Sequence, residues 1–121
     1  MREMIKRGEI WLVNLNPTLG HEINKIRPAV IIQNDDGNEH SPLTIIAPIT
    51  SNIENIYPFN VFLEKGNGLE KDSKVLLNQI RTIDKKRLMK RLGKVNAETQ
   101  LQIDEAMRIS LGLAKVDHNT T

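Results

Sequence analysis

The chain has 121 residues, 39% hydrophobic and 26% charged, a balance that suits one soluble globular domain over 1–121 and is short for two. It has no cysteine, so disulfides and thiolate metal sites are excluded, and no apolar run approaches the roughly 18 residues that suggest a membrane span. The net charge of +2 conceals a basic run at 85–94 (KKRLMKRLGK) with six Lys and Arg and no acid, which leaves eleven basic against fifteen acidic residues elsewhere.

EIWLVNL (9–15) is predicted as the first strand, with Ile10, Leu12 and Asn14 on one face and Trp11, Val13 and Leu15 on the other. NPTLGHEINKI (16–26) is rich in turn formers and reads as a long loop. Pro28 fixes its own φ and biases Arg27 away from helix, so the chain enters the second strand extended. AVIIQ (29–33) is a short apolar run with a β-branched core, the pattern of a strand covered on both faces. NDDGNEHSP (34–42) reads as a turn-rich connection, and LTIIAPITS (43–51) as a third strand with Pro48 and Thr50 near its end.

PFNVFL (58–63) alternates as a fourth strand, with Phe59, Val61 and Leu63 on one side. EKGNGLEKDS (64–73) is a loop, and KVLLNQIRTI (74–83) is a fifth strand with a bend near Gln79. The basic run is expected to form a short helix followed by an edge strand, RLGKV (91–95). A helix then starts at Asn96, a good N-cap, with Glu98 favourable in the first turn. Its packed face carries Ile103, Ala106, Met107 and Ser110, widened by Ile109 and Leu113, and Gly112 supplies the stop. Residues 7–113 are the expected core and 114–121 a flexible tail. Short strands with turns between them and a terminal helix predict a mainly β fold with helices (α+β), barrel-like and small.

HEINK (21–25) begins like the helical zinc motif H-E-x-x-H, but Lys25 stands where the second histidine belongs, and the segment is a loop. His21, His40 and His118 are far apart in the chain with no accompanying carboxylate cluster, so neither a metal nor another cofactor is expected. GNG (66–68) lacks the Lys-Ser/Thr of a phosphate loop, and no G-x-S-x-G elbow is present. What remains is a polar set at strand ends and loops: His21, Glu22, Arg27, Thr50, Ser51, Asn52, Asn78, Gln79 and Arg81. Gln79 and Arg81 are two apart and share a face if that segment is extended. Arg27 has a fork of donors that matches a phosphate, although a structural ion pair is the commoner role of a lone strand-edge arginine. The basic run can attract a polyanion, although a solvated face without a partner fits the charge equally well. These residues alone imply an anion-binding cleft.

RGEIWLVNLNP (7–17), IRPAVIIQND (26–35), the strand ending APITS (47–51), KDSKVLLNQIRTIDKKRL (71–88) and DEAMRISLGL (104–113) stand in a fixed order. Together they make nearly the whole chain resemble the MazF/PemK family of toxin endoribonucleases. The resemblance implies an SH3-like β-barrel with a C-terminal helix, a homodimer, and a cognate antitoxin whose disordered segment covers an RNA groove. It implies metal-independent cleavage of single-stranded RNA by 2′-OH attack, giving a 2′,3′-cyclic phosphate and a 5′-OH end. The family's catalytic arginine matches Arg27 and its catalytic threonine Thr50. Contacts to RNA are then expected from Thr18, Leu19, His21, Glu22, Ser51, Asn52, Asn78, Gln79 and Arg81.

Two departures bear on the bases recognised. The first loop often reads G-S-E-Q-x-G in the family, whereas here it is G-H-E-I-N-K (20–25), and Asn78 stands where many relatives carry Glu. With one Trp, one Tyr and two Phe, base reading should lean on amides and backbone groups. A binding module without cleavage, or an inhibitor of DNA gyrase on a related fold, are the competing readings. The acidic start of the terminal helix (Glu98, Asp104, Glu105) argues against its lying on a phosphate backbone.

Overall fold

The apolar runs become seven strands, with two helices between and after them. The order is β1 (Glu9–Asn14), β2 (Ile26–Ile31), α1 (Asp35–His40), β3 (Leu43–Thr50), β4 (Asn60–Leu63), β5 (Ser73–Leu76), β6 (Arg81–Asp84), β7 (Leu88–Lys94) and α2 (Ala97–Ser110). This computed structural model describes residues 4–116 of the chain. All pairings are antiparallel, in the order β4-β5-β3-β2-β1-β7, with β6 also on β3.

Both faces of the sheet are buried, as the alternation in β1 and the apolar run of β2 predict. Ile10, Val30, Ile32, Ala47 and Ile49 face one core with Ile103 and Ala106 of α2. Trp11, Val13, Leu15, Ala29, Ile31 and Ile46 face a second core with Ile5 and Ile83. The α2 face is the predicted one: Ile103 and Ala106 are buried, Met107 packs on the core, and the Ser110 hydroxyl donates to the Leu77 carbonyl at 2.7 Å. Asn96 caps it by accepting from the Thr99 N–H at 2.8 Å, and Gly112 ends it at φ +75°. Leu113 is 74% exposed and does not widen the face. Of the expected tail, residues 117–121, including His118, lie outside the described residues.

Four expectations need correction. Residues 34–42 hold a helix, α1, because the Asn34 side chain accepts from the Gly37 N–H at 2.8 Å and Asp35 and Asp36 occupy its first turn. The fourth strand begins at Asn60, and Phe59 stacks on Tyr57 just before it. The implied barrel is a rolled sheet whose hydrogen-bonded order stays open between β4 and β7. There the 65–69 loop lies against β7, and a Cβ on Gly93 would sit 2.0 Å from the Asn67 carbonyl oxygen.

The expected fifth strand is in fact two, β5 and β6, separated by a 3₁₀ turn at Leu77–Gln79. Both lie along the same edge of β3: Ile49 pairs with Val75, and Ile46 with Arg81. Only Ala47 and Pro48 therefore face the five residues 76–80. The Ile45 carbonyl accepts from the Ile32 N–H at 2.9 Å, so Ile45 and Ala47 direct their backbone groups toward β2. Pro48 faces the other edge, where it has no N–H to donate, and the partner leaves the ladder at that point.

The N-terminal segment is tied to α1 through Asp35. Its carboxyl is held below the ordinary carboxylate range, first by the Arg7 backbone N–H and then by the Asn38 side chain, with the charges of Lys6 and Arg7 adding to both. A depressed folded value contributes stability above the unfolded pKa, and that contribution is lost as pH falls through the folded value. The stability difference between wild type and Asp35→Asn should therefore shrink below about pH 4, measured by urea unfolding across pH. A pH-independent difference would show that the tie is not electrostatic.

Candidate active site

Arg27 sits near the start of β2 and Thr50 at the end of β3. The two strands pair as Ile31↔Ile46, Val30↔Ala47 and Ala29↔Pro48. Continuing that register by two residues brings Arg27 level with Thr50, on the face that Ala29 and Pro48 share. On its other side Thr50 pairs directly with Lys74 of β5, whose Nζ donates to the Asn55 carbonyl at 2.6 Å. One cross-strand row thus reads Arg27, Thr50, Lys74.

Arg27 is half-buried, and its Nε donates to the Asn24 carbonyl at 2.6 Å, which anchors the guanidinium and leaves both terminal nitrogens as donors. The ion pairs among the described residues are Arg7–Asp104 and Arg91–Glu9, so Arg27 is not spent on a carboxylate. The Thr50 hydroxyl oxygen accepts from the Asn52 N–H at 3.2 Å, and its own proton is left to donate. Donors of this kind suit a phosphate.

Two clefts flank the row. His21, Glu22, Asn78, Gln79 and Arg81 line one of about 420 Å³, together with Pro48. Arg27 and Ser51 line another of about 540 Å³. Thr18, Leu19 and Asn52 line neither; Leu19 is 81% exposed and Thr18 half-buried. Gln79 and Arg81 meet in one cleft although Gln79 belongs to the 3₁₀ turn, so the extended-strand argument for their shared face does not hold.

Several of these residues shape the 16–25 loop. Gln79 Oε1 accepts from the Ile23 N–H at 2.8 Å, and Arg81 Nη1 donates to the Leu15 carbonyl at 3.0 Å. Arg87, which sequence reasoning left inside the basic run, donates to the carbonyls of Asn14 and Asn16. Glu22 accepts from the Leu19 N–H at 2.9 Å through its side chain and donates to the Leu19 carbonyl through its backbone. His21 and Asn78 stay exposed. Lys74 was missed because alternation in SKVL marks it only as the less buried neighbour of Val75, and its place beside Thr50 depends on register. Among the described residues no three His, Asp or Glu side chains converge as a metal-ligating group.

Residues 6–111 match the family model of the PemK-like, MazF-like toxin of type II toxin-antitoxin system. A protein of Staphylococcus epidermidis described as Endoribonuclease MazF is 47% identical over 118 residues, 96% of this chain and 98% of its own. The crystal structure of MazF (Form-I) from Deinococcus radiodurans superposes with a TM-score of 0.82 at 26% identity, over 92% of this chain and 99% of that one. MazE-MazF (Form-I) from the same organism gives 0.69 at 26% identity, again over 92% and 99%. A family match over residues 6–111 and 47% identity across nearly the whole chain place this protein in the PemK-like, MazF-like toxin family of type II toxin–antitoxin systems.

Proposed function

We propose that this toxin is an endoribonuclease that cuts single-stranded RNA without a metal ion, with Arg27 and Thr50 at the scissile phosphate. The observation that carries the reading is the β2–β3 register: continued two residues beyond Ala29↔Pro48, it brings the anchored guanidinium of Arg27 level with the Thr50 hydroxyl. RNA supplies its own nucleophile. The 2′-oxygen bonds to the adjacent phosphorus while the bond to the 5′-oxygen breaks, the 2′-OH proton leaves, and a proton is delivered to the departing oxygen. Charge accumulates on the non-bridging oxygens, where the terminal nitrogens of Arg27 stabilise it and the Thr50 hydroxyl donates a hydrogen bond. Arg27 stays protonated and is not the base.

The cleft of His21, Glu22, Asn78, Gln79 and Arg81 is where neighbouring bases would be read, while Ser51, in the second cleft with Arg27, and Asn52, Thr18 and Leu19, outside both, would add further contacts to the strand. Gln79 and Arg81 would act partly by holding the 16–25 loop in shape. The chain is proposed to work as one domain, with a core at about 7–113, as a cytoplasmic homodimer neutralised by a cognate antitoxin. The relative named Endoribonuclease MazF and the MazE-MazF structures support this assignment. No helix among the described residues is long and apolar enough to cross a membrane.

The test is incubation of a long, weakly structured RNA with the protein in EDTA, followed by sequencing of fragment ends and assay of their terminal phosphates. Discrete cuts with 2′,3′-cyclic phosphate ends are expected. Intact RNA with folded, inhibitor-free protein would replace cleavage with a binding or gyrase-directed role.

A further inference from the structure

We infer that Lys25, Lys71 and Lys90 form a phosphate-binding subsite beside Arg27, which holds the RNA backbone away from the scissile bond. This inference rests on the RNA-cleaving reading above. The three lysines come from separate parts of the chain: the 16–25 loop, the 64–72 loop and β7. They line the same cleft of about 540 Å³ as Arg27, with Glu70 as its one acidic residue.

None of the four cations belongs to an ion pair among the described residues. Like charges gathered around one cleft repel one another, and with a single carboxylate on the lining the field there is positive. Register fixes part of the arrangement. Pro28 and Lys90 both pair with Leu12, so Lys90 lies two strand spacings, about 10 Å, across the sheet from Pro28 and on the same face; Arg27 alternates to the other face and meets the cleft's lining at the start of β2. Lys25 is held at φ +73°, a conformation unfavourable for a side-chain-bearing residue. Its N–H donates to Asn16 Oδ1 and its carbonyl accepts from the Leu15 N–H, both at 3.0 Å, which fixes where its side chain leaves the loop.

The chemistry of the cations divides along the same line. An anchored arginine fork fits one phosphate in a defined orientation, as the reacting centre requires. Lysines on flexible stems are point charges that accept phosphates in varied positions, as a strand of variable sequence requires. Between the charges, Leu12 and Leu92 give the cleft apolar wall on which sugars or bases can lie. An acidic protein segment would use the charges alone; continuity with Arg27 favours RNA.

The experiment compares the full chain with Lys71→Ala/Lys90→Ala and with Lys71→Arg/Lys90→Arg. Cleavage of the long RNA gives kcat and KM, and anisotropy with a fluorescent 2′-O-methylated RNA from 50 to 200 mM salt gives affinity without cleavage. The alanine pair should raise KM with kcat kept, and should make the slope of log affinity against log salt shallower by about 1.4, about 0.7 for each phosphate no longer neutralised. The arginine pair should restore both. If the wild type cleaves RNA and the alanine pair leaves KM and slope unchanged, the subsite is overturned and the nuclease reading stands. An unchanged RNA slope with weakened binding of poly-glutamate would assign the lysines to an acidic protein and overturn the inference equally. A wild type that neither cleaves nor binds RNA would remove the reading and the subsite with it.

Discussion

Arg27→Ala should cut RNA at least about 100-fold more slowly than the wild type while remaining folded. Removing one donor aimed at charge that develops in the transition state costs about 2.7–4 kcal/mol, on the order of 100- to 1000-fold. The loss should fall mainly on kcat, because the terminal nitrogens of Arg27 meet the most negative charge when five oxygens surround the phosphorus. Stability should change by no more than about 0.5 kcal/mol, since the side chain has no carboxylate partner among the described residues and its one anchor is the Asn24 carbonyl. Arg27→Lys should recover only part of the rate: an ammonium carries the charge but cannot bond Asn24 and a phosphate through one rigid plane. Single-turnover kinetics beside a thermal melt measures both quantities. Equal rates for wild type and Arg27→Ala would take the arginine out of the chemistry.

The largest effect on stability is expected far from the phosphate, at Glu9. This carboxylate is only 6% exposed and has three partners: the Lys6 N–H at 2.8 Å, the Trp11 indole N–H at 3.2 Å and Arg91 Nε at 2.8 Å. Truncation to alanine releases Arg91 to solvent, where its side chain is already about half exposed, at little cost. Trp11 has no such outlet, being 3% exposed, so its indole N–H would be buried without an acceptor. A stranded buried donor costs roughly 1–3 kcal/mol, and breaking a buried ion pair from one side about 3–5. Because the pair is open on the Arg91 side, Glu9→Ala should lose about 3 kcal/mol. Glu9→Gln, which keeps an acceptor for the indole, should lose less. Urea midpoints at constant m report the difference, and a loss below about 1 kcal/mol would mean that water takes the carboxylate's place.

Of these two residues only Arg27 was singled out from the sequence; Glu9 stood there merely as the first residue of a predicted strand, and its partners Lys6, Trp11 and Arg91 come from the fold. The faces of β1, the doubly covered β2 and the Asn96 cap follow from local periodicity and local hydrogen bonding, so pattern found them. Helix α1 was hidden because Asn-Asp-Asp-Gly has turn composition. A Cβ on Gly37 would lie 2.9 Å from the amide of Gln33, four residues earlier, a local contact that composition alone does not show. That amide in turn donates to Asn38 and to the Leu43 carbonyl, and Asn38, polar in the sequence, is buried. The break at residues 77–79 answers to Pro48, some thirty positions earlier, and no window of sequence contains both. Family resemblance singled out Arg27 and Thr50, but their relation depends on strand register, and the gathering of Lys25, Lys71 and Lys90 depends on three separate segments meeting.

Pro48 has one more consequence, for how the chain avoids misfolding. A slip of two residues between β3 and the 73–84 segment would keep every side chain on its proper face, so hydrophobic burial alone does not forbid it. In the native register the missing N–H of Pro48 falls where that segment has left the ladder. After a two-residue slip it would fall opposite a strand in want of a donor, and a carbonyl would be stranded. A slip of that size between β3 and β5 would carry Lys74 about 7 Å from its place beside Thr50. By fixing β3 against β5 and β6, the proline removes one family of near-native competitors in which the core is sound and the active site is never assembled.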